Sequence, residues 1–344
     1  RAARTRDGRR SLDALRAGGV EVVRVLAPEH GLSSELEGAI EGGRDARTGL
    51  PLFGLFGPTR TPTAEMLEGV DTIVIDLQDV GVRFYTYAST VRRVLEAARR
   101  ADLRVVILDR PDPLGGGPPR GPVSEPALAS FVNHHPLPAV HGMTLGELAT
   151  LLNVERDIGA NLAVVEIEGW SRGERWQDTG LRWVPSSPNL QTPTQVLLYP
   201  ALGLLEGTNL SVGRGTATPF ELIGAPWIDA EALAEALGAV PGLGVEPTRF
   251  VPQAARYRGA QCEGLRLTLA DPEAFEPVRF AIAIAHALHR LHPDAWEPER
   301  MAQALGDRAV YALMLEGASI EVLEVSWQPG LAAFAEMRQR YLRY

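Results

Sequence analysis

Three apolar runs in the first third of the chain each end in a dense polar cluster. Glu21 to Leu26 leads into Pro28-Glu29-His30-Gly31, Val70 to Leu77 into Gln78-Asp79-Val80-Gly81, and Arg104 to Leu108 into Asp109-Arg110-Pro111-Asp112. Near-continuous apolar runs of this length are the pattern of parallel strands covered on both faces. Between the second and third, Val91, Val94, Leu95 and Ala98 recur at helical spacing behind a Ser89/Thr90 cap. That predicts a strand–helix–strand unit with a right-handed crossover, and hence a Rossmann-like parallel sheet. A helix is expected after Ser11, another from the capping box Thr144-Leu-Gly-Glu147 to about Asn153, and a further strand over Leu162 to Ile167.

The pattern changes at Pro185-Ser-Ser-Pro188-Asn189-Leu-Gln-Thr-Pro193, which is Pro-rich and polar. The reading is α/β throughout: a Rossmann-like domain over 1–185, a linker at 186–195 and a smaller α/β domain over 196–344. In the second domain the expected elements are the apolar run Leu197 to Leu205, a Gly-rich loop from Glu206 to Thr216 and a helix near Ala230 to Leu237. An alternating strand at Gly264 to Leu269 and helices at about Phe275–Leu291 and Leu331–Leu342 follow.

Composition narrows the chemistry. A length of 344 residues suits two domains, and the net charge of −9 argues against a nucleic-acid partner. All 34 cationic residues are Arg, which excludes a Schiff-base lysine, a pyridoxal site and a P-loop within these residues. Cys262 stands alone, so no intrachain disulfide or cysteine metal site can form. Val196 to Leu205 is too short and interrupted to span a bilayer. The opening Arg1-Ala-Ala-Arg4-Thr-Arg6 lacks the apolar segment of a signal peptide and reads as a processed or truncated start.

Gly115-Gly-Gly117 is followed by prolines and does not make a dinucleotide fingerprint. His30, His134, His135 and His141 are the candidate metal set, but their spacing fits no zinc pattern, so no metal is expected and a metal-dependent hydrolase is the alternative reading. His286, His289 and His292 read as a helix face. Glu29, a carboxylate at a strand end followed by His-Gly, is the candidate catalytic acid or base, against the plainer reading of a turn cap. Gln78 and Asp79 either face a ligand or hold their own turn, Asp109 is a candidate contact or a cap on Arg110, and Glu147 belongs to its capping box. His141 is a candidate substrate contact.

Taken together, Pro28-Glu29-His30-Gly31, Thr48-Gly-Leu-Pro51, Asp76-Leu-Gln78-Asp79-Val-Gly81-Val-Arg83-Phe-Tyr85-Thr-Tyr87, Leu108-Asp109-Arg110-Pro111, His141-Gly-Met-Thr144, Ser187-Pro-Asn189 and Glu206-Gly-Thr-Asn209-Leu-Ser211 through Arg214-Gly-Thr216 closely resemble the NamZ-type exo-β-N-acetylmuramidases. The resemblance covers nearly the whole chain, short of the family's usual first strand. It implies a Rossmann-like catalytic domain and a smaller domain with the active-site cleft between them. It further implies a glycoside hydrolase, exported or else cytoplasmic, that releases terminal non-reducing N-acetylmuramic acid from muramyl glycans or muropeptides and needs no organic cofactor. By motif, Glu29 matches the family's catalytic glutamate. Asp79 and Tyr85 are its candidate catalytic partners, and His30, Gln78, Arg83, Tyr87, Asp109, His141, Asn189, Asn209 and Arg214 are candidate substrate contacts. Many relatives carry an acid where this chain has Arg120, which leaves Glu125 or Asp79 as the second carboxylate, or a binding protein with reduced or no activity. The substrate's lactyl carboxylate calls for a cation, Arg83 or Arg214, unless these brace Asp79 or Glu206.

Overall fold

The computed structural model describes residues 2–344. The chain opens with α1 (Ser11–Ala17), the helix expected after Ser11. Next, β1 (Val25–Ala27), β2 (Gly43–Arg44) and β3 (Pro51–Gly54) form a sheet ordered β1-β3-β2, with β1 parallel and β2 antiparallel to β3. This corrects the sequence reading, which put the first apolar run in the main sheet. The run pairs only from Val25, because Glu21 and Val23 ahead of it face solvent rather than a covering helix.

A short α2 (Ala64–Leu67), capped by Thr63, leads to β4 (Thr72–Ile75), α3 (Tyr87–Arg100) and β5 (Arg104–Leu108), the expected strand–helix–strand unit. The N-cap of α3 is Thr86, not Ser89 or Thr90. Those two lie in the first turn and are buried, so the helix starts as soon as the turn at Gly81 is complete. The hairpin β6 (Arg120–Val123) and β7 (Pro138–Val140) precedes α4 (Leu145–Glu155), whose Thr144/Glu147 capping box forms as expected. Then β8 (Asn161–Val165) completes a parallel sheet ordered β4-β5-β8.

The remaining elements are α5 (Pro193–Leu205), β9 (Leu222–Ala225), α6 (Ala230–Leu237), β10 (Leu243–Phe250), β11 (Cys262–Leu269), α7 (Pro277–Leu291), α8 (Met301–Leu305), α9 (Arg308–Leu315) and α10 (Ile320–Arg338). The three strands make an antiparallel sheet ordered β10-β11-β9. α5 starts inside the segment expected to be a linker, where Thr192 caps it, Gln195 closes the box and Pro193 occupies the first turn. α10 begins at Ser319's cap, well before Leu331, and carries Pro329 in its interior. Such a proline hides a helix from sequence reading, because it lacks an N–H and disfavours the interior.

Two cores result. One holds β4, β5, α3 and α4 together with Phe334 and Tyr341. The other joins Val80, Val82 and Phe84 to α5, to the antiparallel sheet and to α7 through α10. Because the loop after β4 belongs to this second core, the polar residues within it are held from both halves of the chain.

Candidate active site

β1 ends at Ala27, and the chain leaves the sheet through Pro28 and Glu29. His30 (φ 69°) and Gly31 (φ 67°) are both left-handed and turn the backbone away. A left-handed non-glycine residue is uncommon and costs energy, so this turn is held by its surroundings. His30 is fixed through Nδ1 against the Leu36 carbonyl at 3.0 Å. The Glu29 carboxyl thereby meets the start of α3, where Thr86 Oγ1 donates to Oε2 at 2.5 Å. A carboxylate beside a helix N-terminus is stabilised by the helix dipole.

Next to Glu29 lie three clustered phenols. The Tyr85 and Tyr87 rings are 4.8 Å apart edge-on, and Tyr199 of α5 stands 6.2 Å from Tyr85. Tyr85 donates to Ser186 Oγ at 3.0 Å, and Tyr87 donates to the Ser186 carbonyl at 3.0 Å. Burial pushes the Tyr87 phenol well above its usual range; Tyr85 opposes this by hydrogen bonding, while the charges of Glu29 and Asp79 add to it. Tyr87 thus lies within the field of both carboxylates. Tyr85 is raised in the same way, first by burial, so both phenols remain protonated donors at neutral pH.

Asp79 is buried in the turn after β4. Its Oδ2 accepts the Gly81 N–H at 3.0 Å and faces His141 Nε2 at 3.6 Å, while Oδ1 is buried without a partner among the described residues. The Met143 N–H donates to His141 Nδ1 at 3.3 Å, which leaves the ring proton on Nε2, directed at Asp79. Gly81 (φ 75°) is required here, since a Cβ would fall 2.6 Å from Asp112 Oδ1. Asp112 itself is buried, with Oδ2 unpartnered, and burial raises its pKa to about 6 against the pull of His141.

Several of the substrate contacts expected from the motifs are corrected. Arg83 is 0% exposed: Nε donates to Asn133 Oδ1 at 2.8 Å, Nη1 to the Pro122 and Leu137 carbonyls at 3.1 and 2.6 Å, and Nη2 to the Ala304 carbonyl at 2.5 Å. It binds the hairpin to α8 and, fully buried, is out of reach of a substrate. Asp109 accepts from Arg110 N, Gly146 N, Thr144 Oγ1 and Tyr344 Oη, so it fastens α4 and the C-terminus to β5. Asn209 is likewise committed, its amide donating to the Ala295 carbonyl and accepting the Glu297 N–H. Gln78 Nε2 donates to the Asp79 and Pro111 carbonyls at 2.9 Å each and holds its own turn. Glu125 accepts the Arg308 N–H at 2.6 Å and is occupied as a cap there.

Asn189 and Arg214 reach the loop that follows Glu29. Asn189 Nδ2 donates to Glu37 Oε1 at 2.6 Å, and Arg214 bridges Glu37 at 2.7 Å and Glu206. Burial works against the Arg214 charge, but the two glutamates hold its pKa above the usual arginine value. Arg214 is therefore a brace between the loop and the second half of the chain. Arg214→Met is expected to lower kcat/KM equally on muramyl and glucosaminyl substrates; a loss confined to the muramyl one would instead make it the lactyl reader.

Sequence reasoning missed Thr86, Ser186, Tyr199 and Asp112. Thr86 and Asp112 stood inside quoted motifs, but nothing in their spacing distinguishes a contact from a cap. The histidines do not converge. The His134 imidazole is buried without a hydrogen-bond partner among the described residues, its pKa pushed well below normal by burial, and His135 lies beside Arg156 with a pKa near 4, first through burial. No group of three potential metal ligands occurs among the described residues.

The raised pKa of Asp112 gives a pH signature. Folded, it holds its proton up to about 6, while an unfolded aspartate releases it near 3.8, so stability falls as pH rises through this window. The loss approaches ~3 kcal/mol for a fully buried group. Urea melts at pH 4.5 and pH 7 should show this difference in the parent and a smaller one in Asp112→Asn; an identical difference in both would contradict it.

Comparison with known proteins decides the family. The model for the N-terminal domain of the exo-β-N-acetylmuramidase NamZ matches residues 1–194, and that for its C-terminal domain matches 197–344. The chain belongs to the NamZ family. It is 39% identical over 332 residues to the peptidoglycan β-N-acetylmuramidase NamZ of Bacillus subtilis (strain 168), covering 94% of this chain and 80% of that protein. Two solved DUF1343 family proteins of Bacteroides fragilis share the fold. One has a TM-score of 0.91 at 31% identity, covering 100% of this chain and 92% of its own. The other has a TM-score of 0.78 at 27% identity, covering 98% and 90%.

Proposed function

We propose that this chain is an exo-acting glycoside hydrolase that removes terminal N-acetylmuramic acid from the non-reducing end of peptidoglycan fragments, with Glu29 as acid and base. The observation that carries the reading is the placement of Glu29 at the start of α3, beside Thr86, with Asp79 acting on the same Tyr87. The family membership and the muramidase relative support the substrate class.

Cleavage requires a proton for the leaving oxygen and stabilisation of positive charge at the anomeric carbon. Glu29 delivers the proton. Asp79, with Oδ2 engaged and Oδ1 covered, acts through its charge rather than by approaching the sugar as a nucleophile. The substrate's own acetamide oxygen then attacks the anomeric carbon as the glycosidic bond breaks, giving a cyclic oxazolinium that the Asp79 charge stabilises. The Glu29 carboxylate takes a proton from water, the water oxygen adds to the anomeric carbon, and the ring reopens. Two displacements at one carbon retain its configuration.

Incubation with a muramyl disaccharide should release free N-acetylmuramic acid, first as the β-anomer in NMR, and a glucosaminyl-terminated disaccharide should react far more slowly. Initial α-anomer would remove the acetamide route, and absence of any released sugar would favour a muropeptide-binding protein. Extensive chelation should leave the rate unchanged; recovery of a lost rate by one divalent ion would require a metal-dependent mechanism.

A further inference from the structure

The surface changes character two turns along α3 from the Glu29 contact. Arg93 lies seven residues after Thr86, on the same helix face and about 10 Å further on. Its guanidinium stands 5.4 Å from the Phe131 ring, and Arg60 lies 4.6 Å from Phe131 and 5.4 Å from Phe56. The two rings are 5.8 Å apart. Ser89, in the first turn of α3, donates to the Phe131 carbonyl, and the Phe56 carbonyl accepts the Ile40 N–H, so the aromatic loops adjoin both α3 and the loop that follows Glu29.

Arg60 donates to the Gly57 carbonyl and Arg93 to Thr61 Oγ1, and neither makes an ion pair among the described residues. Glu96 is engaged by Arg92 at 2.5 Å. Burial first, then Arg92 and Arg60, push the Arg93 pKa down despite Glu96. Like charges are thus gathered beside two half-exposed phenylalanines on a protein of net charge −9.

We propose that Arg60, Arg93, Phe56 and Phe131 form a distal subsite that holds the glycan beyond the cleaved bond and pairs with the lactyl carboxylate of the next muramyl residue. The inference rests on the muramidase reading above. Glycan strands of peptidoglycan alternate N-acetylmuramic acid and N-acetylglucosamine, so a strand with its terminal sugar at Glu29 carries its next carboxylate one sugar beyond the leaving group. Guanidinium forks suit a carboxylate, and the phenylalanine rings offer apolar faces to the C–H side of a pyranose. A disaccharide lacks that second carboxylate, so the subsite would leave its turnover untouched.

The test compares the parent with the double substitution R60Q/R93Q on a muramyl disaccharide and on a tetrasaccharide whose inner lactyl group is either the free acid or the amide. The parent should prefer the acid over the amide tetrasaccharide by about tenfold in kcat/KM, a modest value for partly exposed charge-assisted bonds. The double variant should lose that preference and keep the disaccharide rate and the melting temperature. Equal effects on disaccharide and tetrasaccharide, an unchanged acid preference, or a loss explained by unfolding would overturn the subsite while leaving the muramidase reading intact. No sugar release by the parent from any substrate would overturn both.

Discussion

Glu29→Gln is expected to reduce kcat by about 10²–10⁴-fold, the usual cost of losing a general acid or base, while the melting temperature stays near the parent's. The amide keeps the size of the side chain and can still accept the Thr86 hydroxyl, so the contact that fixes position 29 survives. What it cannot do is give up and regain a proton. Because the loss is in the chemical step, kcat and kcat/KM should fall together with little change in substrate affinity. A variant with near-normal turnover would remove Glu29 from the mechanism. A variant that is inactive and also melts much lower would make Glu29 a cap on α3.

The second large effect is on stability. Arg83→Met takes the Arg83 hydrogen bonds from the Pro122 and Ala304 carbonyls and Asn133 Oδ1 in a fully buried place, while the Leu137 carbonyl keeps the Ser124 N–H. Orphaned groups of this kind cost about 1–3 kcal/mol each, partly relieved by relaxation, for a total of roughly 3–5 kcal/mol. Denaturant melts should show that loss, and any surviving folded enzyme should keep its preference for muramyl over glucosaminyl ends. A variant of unchanged stability that loses only muramyl selectivity would return Arg83 to the substrate.

Arg83 also marks where sequence reading stops. The main parallel sheet, the helix between its first strands and the α4 capping box were legible because period, caps and strand-end polarity are local signals. Whether a polar residue at a strand end points outward or inward depends on what packs over it. Arg83, Asp109 and Asn209 all lie in family-like motifs, yet each is held by polar groups from distant segments: α8, the C-terminus, and the loop before α8 respectively. Glu29 differs because the left-handed turn at His30-Gly31 carries the backbone away from it, so its carboxyl keeps one side-chain partner among the described residues, Thr86. The fully helical α10 was half hidden by Pro329, and β2, β3 and the β6–β7 hairpin were too short or irregular to show a period.

The substrate-assisted route also bears on how Arg120 is read. It forms the wall of the hairpin against the start of α7, donating to the Phe275 carbonyl and pairing with Glu276 at 3.6 Å. With the acetamide as nucleophile, a second carboxylate at that position is not needed, and Arg120 is compatible with turnover.

The most direct test of the central claim is a crystal structure of the Glu29→Gln variant soaked with a muramyl disaccharide. The terminal N-acetylmuramic acid should lie against Tyr85 and Tyr87, with the glycosidic oxygen within hydrogen-bond distance of the amide at position 29 and the acetamide folded toward the anomeric carbon. A disaccharide bound elsewhere, or one whose glycosidic oxygen faces a different acid, would contradict the assignment of the site.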